Sequence, residues 1–160
     1  MDEKEKKNED EKSGVLAVTH KVSRIASIMV KNVDYGVIKG CGSKSVLLKP
    51  GAEKLLIAFN IYAKVENVEI IDLQNLNREY RVTISLISRK DILSVGFGIG
   101  SATTLEKKFK RDNPPDIWNT VLKMAKKRAL IDAVLTSLGA SMLFTQDLIE
   151  TPEEVKNNGE

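Results

Sequence analysis

The 160-residue chain has little with which to build a covalent or metal scaffold. Its single cysteine, Cys41, excludes an internal disulfide, and with one histidine, His20, a zinc cluster lacks a ligand set. Aromatic residues are only 5% of the chain, too few for a platform that stacks successive bases. No apolar run approaches the ~20 residues that span a bilayer. The opening MDEKEKKNEDEK has no apolar segment of the kind a secretory signal needs. The expectation is an intracellular, cytoplasmic protein without structural metal, cofactor or membrane association.

A catalytic constellation is missing too. His20 falls in an expected helix with no evident partner, and Cys41 has no adjacent base. Asp72, Glu79 and Asp91 lie near expected strand ends, where solubilising turns account for them. VGFGIGS, Val95 to Ser101, resembles a nucleotide loop only superficially. Its glycines alternate along a strand, and no Lys-Ser/Thr follows as in a P-loop. Gly96, Gly98 and Gly100 instead leave one sheet face at backbone level, open to a packed helix, a neighbouring subunit or a sugar-phosphate chain. An enzyme is not expected.

What the chain has is charge, unevenly placed. Residues 1–12 carry six acids and four lysines, and residues 147–160 five acids and one lysine. The stretch between holds 20 basic and 11 acidic residues, a body of +9 between ends of −2 and −4. Such a distribution suits a polyanionic partner, although charge also serves solubility. Residues 1–13 read as a disordered acidic tail, 14–146 as one domain, and 147–160 as a flexible acidic tail.

Within the domain, Leu16, Val18, Val22, Ile25, Ile28 and Met29 mark one face of a helix ending near Asn32. A Gly-rich passage, Gly36 to Lys44, leads to a short strand and a helix opened by Pro50, burying Leu55, Leu56, Ala58 and Phe59. Three Val/Ile-rich runs, Tyr62–Asp72, Glu79–Ile87 and Ile92–Ile99, with short turns between them, predict an antiparallel meander. Thr103 to Glu106, TTLE, has capping-box form and predicts a helix that Pro114 and Pro115 interrupt or separate from the next. The last long helix is expected from about Ile117 to Leu138, stopping at Gly139. The fold class is α+β: an antiparallel β-β-β-α core with helices packed on one face of the sheet.

The last helix carries the functional signal. Trp118, Leu122, Ala125, Ala129 and Ala133 form one apolar stripe, and Val121, Met124, Ile131, Leu135 and Leu138 a second. Lys123, Lys126 and Lys127 cluster on the third side, with Arg128 on a boundary and no acid before Asp132. A solvated face normally mixes signs for i,i+4 pairing. Lys107, Lys108, Lys110 and Arg111 precede this edge, so eight basic residues lie between 107 and 128. Both a phosphate-binding surface and a plain solvated face accommodate that pattern.

Taken together, four segments resemble the Rad-fifty-two-type single-strand annealing proteins, including their phage relatives of the Sak and Erf kind. They are KGCGSKSVLLKPGAEKLLIAFNIY (Lys39 to Tyr62), YRVTISLISRKDILSVGFGIGS (Tyr80 to Ser101), TLEKKFK, and MAKKRALIDAVLTSLGASM (Met124 to Met142). Their order, more than any one motif, carries the resemblance, over roughly residues 36–142. It implies a DNA-binding groove around a homo-oligomeric ring, with Lys127 and Arg128 in the helix role, Lys107 at a secondary basic site, and Lys39 or Lys44 in the loop role. The residue pattern adds Lys108, Lys123 and Lys126. The implied function is binding and annealing of single-stranded DNA in phage or bacterial recombination and repair, in a bacterial or phage-infected cell. A recombination nuclease or single-strand-binding protein would be a further partner. The alternatives are a single-strand-protecting protein without annealing activity, a nucleotide-binding enzyme accessory protein using the Gly-rich strand, and a protein-interaction scaffold.

Overall fold

Three long strands define the main sheet: β3 (Ile61–Asp72), β4 (Arg78–Ser88) and β5 (Ser94–Thr103), paired antiparallel in the order β3-β4-β5. The computed structural model in which they are seen describes residues 3–37 and 45–145, with side chains from Lys12 onward. Before the sheet come α1 (Glu3–Ser27), β1 (Tyr35–Gly36), β2 (Ser45–Leu47) and α2 (Lys49–Ala58). After it come a 3-10 turn at Lys107–Phe109, α3 (Pro114–Ser137), and β6 (Phe144–Thr145). The architecture is α+β, with helices packed against a sheet, as the sequence pattern implied.

Alternation in β4 sets the layers. Tyr80, Val82, Ile84 and Leu86 are buried beneath α3, whereas Arg81 on the opposite face is exposed. Directly opposite them in β5 stand Ala102, Gly100, Gly98 and Gly96. A Cβ built on Gly98 would collide with the backbone of Ala129 and Ala133, one on Gly100 with Ala125 and Ala129, and one on Gly96 with the Ser137 side chain. The glycine row is therefore filled by α3, and the open question of what approaches it has a structural answer. Two repeats match here. Alternate strand residues recur about every 6.7 Å, and every fourth helix residue about every 6 Å. Ala125, Ala129 and Ala133, all fully buried, run antiparallel to the glycines and let helix and strand meet at backbone distance.

The same helix closes the outer edge of β5. The Ile99 N–H donates to Asp132 Oδ2 at 2.9 Å, and Arg128 Nη1 donates to the Ser101 carbonyl at 2.7 Å. Unpaired edge groups that would otherwise recruit another strand are thus occupied. The other edge, β3, has no such cover among the described residues, and Val65, Val68 and Ile70 on its helix side are exposed there. Both stripes expected on α3 are inward: Val121, Ile131, Leu135 and Leu138 are buried, and Met124, Leu122 and Trp118 pack at the margin. Gly139 ends the helix in the left-handed region at φ 65°.

Several expectations need correction. Residues 1–13 were expected to be disordered, but α1 begins at Glu3. Glu and Lys, which dominate this stretch, are strong helix formers. The apolar face expected there is only partly used: Val22 of α1 and Met29 just beyond it are buried, while Leu16, Val18 and Ile28 are exposed. In α2, Leu55 and Leu56 are buried with Gly51 and Ala52, but Ala58 is exposed and Phe59 half-buried. TTLE opens no α-helix. Thr103 N–H does approach Glu106 Oε1 at 3.4 Å, yet Glu106 is drawn to Arg128, and only a 3-10 turn follows before Pro114 starts α3. The tail expected at 147–160 lies outside the described residues.

Candidate nucleic-acid interface

The small-residue seam takes one side of α3, and part of the remaining side is exposed. Lys123, Lys126 and Lys127 are exposed there, and none makes an ion pair or hydrogen bond among the described residues. They border a groove between α3, α2 and β3. One part of it is lined by Lys49, Thr120, Lys123, Met124, Lys126, Lys127 and Leu130. The adjoining part shares Lys49, Lys126 and Leu130 and adds Leu56, Ile57, Val65, Ile84, Glu53 and Arg89. Five cations thus meet one carboxylate, Glu53, which Lys49 holds at 3.2 Å. Among the described residues the only ring on the wall is Tyr62, and the Arg89 guanidinium lies 5.4 Å from its centroid. Between the cations the floor is aliphatic.

Local sequence explains the placement. Pro50 in the first turn of α2 fixes its start at Lys49. The turn after β4 presents Arg89, whose N–H donates to the Asn60 carbonyl at 2.9 Å and so ties it to the α2–β3 junction. Beneath α2, the Asp34 carboxylate is fully buried, accepting from Lys54 Nζ at 2.5 Å and from Val30 N–H at 2.8 Å. The Lys54 hydrogen bond, then that of Val30, hold its pKa below the ordinary carboxylate range against the opposing effect of burial.

The other expected cations divide. Arg128 does not face the groove. Its guanidinium binds Glu106 through both nitrogens, at 2.6 and 3.1 Å, besides the Ser101 carbonyl. Burial pushes the Glu106 carboxyl up, but the Arg128 and Lys108 partners outweigh it and the pKa lies below normal. Lys108 pairs with Glu106 at 3.2 Å and lies 5.1 Å from the Phe109 ring. Lys107 is exposed in the same turn. At about 100° per residue, Lys126 points some 200° away from Arg128 around α3. Lys107, Lys108 and Arg128 therefore stand on the β5 side, and Lys123, Lys126 and Lys127 on the groove side. Lys39 and Lys44 lie outside the described residues. Lys49 and Arg89 were not anticipated, since no local pattern links a helix start and a turn to α3.

Among the described residues no group of three or more His, Cys, Asp or Glu gathers to hold a metal, and no helix is long and apolar enough to cross a membrane. The glycine row cannot cradle a phosphate, because α3 occupies it. No protein-family model matches the chain, and no curated protein matches it.

Proposed function

We propose that the protein binds single-stranded DNA and promotes annealing of complementary strands, as a homo-oligomer and without covalent chemistry. The observation that carries this reading is the groove between α2, α3 and β3, where Lys123, Lys126 and Lys127, unpaired among the described residues, stand beside Lys49 and Arg89. Cations with no internal partner are free to neutralise phosphates and release condensed counterions. A single ring on the wall offers little for stacking, so bound bases stay available to a second strand. The resemblance to Rad-fifty-two-type annealing proteins points the same way and implies a ring in the cytoplasm of a bacterial or phage-infected cell. Exposed Val15, Leu16 and Val18 on α1, Ile28 just after it, and Phe97 and Ile99 on the sheet face away from α3, are apolar surface that a neighbouring copy could bury.

The test is fluorescence anisotropy with a labelled oligonucleotide over a salt series, beside an annealing assay and a solution mass. Replacing Lys123, Lys126 and Lys127 together with Ala should weaken binding for every sequence alike. The salt slope should fall by about 0.7 for each phosphate no longer neutralised, roughly 2 in all. Alanine is a good helix former and these side chains are off the apolar stripes, so α3 should persist. A folded triple variant with the parent's affinity, salt slope and annealing rate would overturn the reading.

A further inference from the structure

The groove is more than a row of cations: its floor is aliphatic, with Leu56, Val65, Ile84 and Leu130 between the charges. Phosphates have no use for such a floor. A peptide that alternates acidic and apolar residues would use both parts, and the chain itself carries one. Residues 146–160, QDLIETPEEVKNNGE, have five acids and one lysine, with Leu148, Ile149 and Val155 interspersed.

The topology aims that segment at the groove. β6 pairs parallel with β2, Thr145 opposite Val46. Parallel pairing means that the chain leaves Thr145 in the direction in which β2 runs toward α2. Lys49, three residues past Val46, is the first residue of α2 and lines both parts of the groove. At a strand rise of ~3.3 Å the chain would draw level with Lys49 after about 10 Å, near residue 148. Thr120 to Leu130 spans about 15 Å of helix, and the residues still remaining could extend ~40 Å. Reach, direction, charge and apolar content agree.

We infer that the groove docks residues 146–160 of the same chain when nucleic acid is absent, so that the segment is a built-in competitor for the site. Competition with DNA rests on the function proposed above; docking itself does not. A short tether gives an effective concentration on the order of 1 mM, so even a segment of millimolar intrinsic affinity fills about half of the grooves. Intrinsic affinities between about 1 and 0.1 mM fill roughly half to nine-tenths of the grooves and so weaken nucleic-acid binding by roughly two- to tenfold at low salt, and screening removes the effect at high salt.

Zero-length carbodiimide cross-linking of the full chain, mixed with an isotope-labelled copy and read by peptide mass, tests docking without any nucleic acid. Cross-links from Asp147, Glu150, Glu153 or Glu154 should fall on Lys49, Lys123, Lys126 and Lys127 of the same chain, and should fade on raising salt to about 0.5 M. Cross-links spread equally over Lys64, Lys90 and Lys108, or formed only between labelled and unlabelled copies, would overturn the inference. Full-length protein carrying Asp147→Asn, Glu150→Gln, Glu153→Gln and Glu154→Gln should bind a labelled oligothymidylate about two- to tenfold more tightly at ~50 mM salt, with no gain at ~0.5 M. A parent that binds the oligonucleotide and a neutralised variant that binds it no better would also overturn it. If neither binds but the same-chain cross-links to the groove are present, docking stands and the nucleic-acid reading falls.

Discussion

Replacing Gly98 with Ala probes the seam that holds the basic half of α3 in place. The added methyl would meet Ala133 N, Ala129 O and Ala133 Cα, all backbone atoms that no side-chain rotation can move. Restoring ordinary van der Waals separation requires the helix to lift off β5 by more than an ångström. That would loosen Ala125, Ala129 and Ala133 together and strain the Asp132 and Arg128 bonds to the strand edge. Overpacking usually costs about 1–3 kcal/mol, occasionally more, and here the neighbour is rigid, so about 3 kcal/mol is expected. For a chain of this length each kcal/mol moves the thermal midpoint by about 2–4 °C, which gives a drop of roughly 6–12 °C. Gly96→Ala differs, because its methyl meets only Ser137 Oγ and Cβ at short range. Adding Ser137→Gly at the last helical position should recover most of that loss, whereas no substitution at Ala129 or Ala133 should rescue Gly98→Ala. Gly14, with open space around it, is the control: its Ala variant should be neutral or slightly stabilising. Circular-dichroism melts of the four variants check the set. A Gly98→Ala protein melting within about 2 °C of the parent, less than 1 kcal/mol, would refute backbone-distance packing of α3 on β5.

Two further outcomes follow from the ion pairs. Arg128→Ala should lower stability by roughly 1–2 kcal/mol in urea unfolding, the pair being partly screened, through loss of the Glu106 pair and the Ser101 cap; a double-mutant cycle with Glu106→Gln showing no coupling would count against it. Asp34, with its pKa depressed in the fold by Lys54 and Val30, contributes stability that is full above its unfolded value near 3.9 and is lost as pH falls through that value toward the folded one. Asp34→Asn should therefore destabilise at neutral pH and flatten the fall of the thermal midpoint between about pH 5 and 3, and an acid limb unchanged from the parent's would exclude the pair as its source.

The sheet could be read from sequence because its determinants are local. The runs are rich in Val and Ile and partly alternating, and the short connections between them favour antiparallel pairing. The glycine row was readable only halfway. Alternation implied a face at backbone level, but what fills it depends on a repeat of alanines about thirty residues later, and nothing local joins the two. α1 misled in the opposite direction. Composition alone suggested disorder at its start, yet Glu and Lys are strong helix formers and the helix begins at Glu3.

At the candidate site the difficulty is rotation. From Lys107 to Arg128 the cations look like one basic surface when written in a line. The turn before α3 and the helical twist of α3 separate them: Arg128 is held by Glu106, and Lys108 joins the same carboxylate. Lys126, two residues from Arg128, faces Lys49 and Arg89 instead. These two clusters use like charge for different ends. On the β5 side, cations are neutralised internally and close a strand edge. On the β3 side Lys123, Lys126 and Lys127 have no partner among the described residues, over an aliphatic floor. Under the function proposed above, it is the cluster unpaired among the described residues that would meet an external anion, and the paired one that stabilises the fold. Counting lysines along the chain cannot make that distinction, whereas locating the carboxylates can.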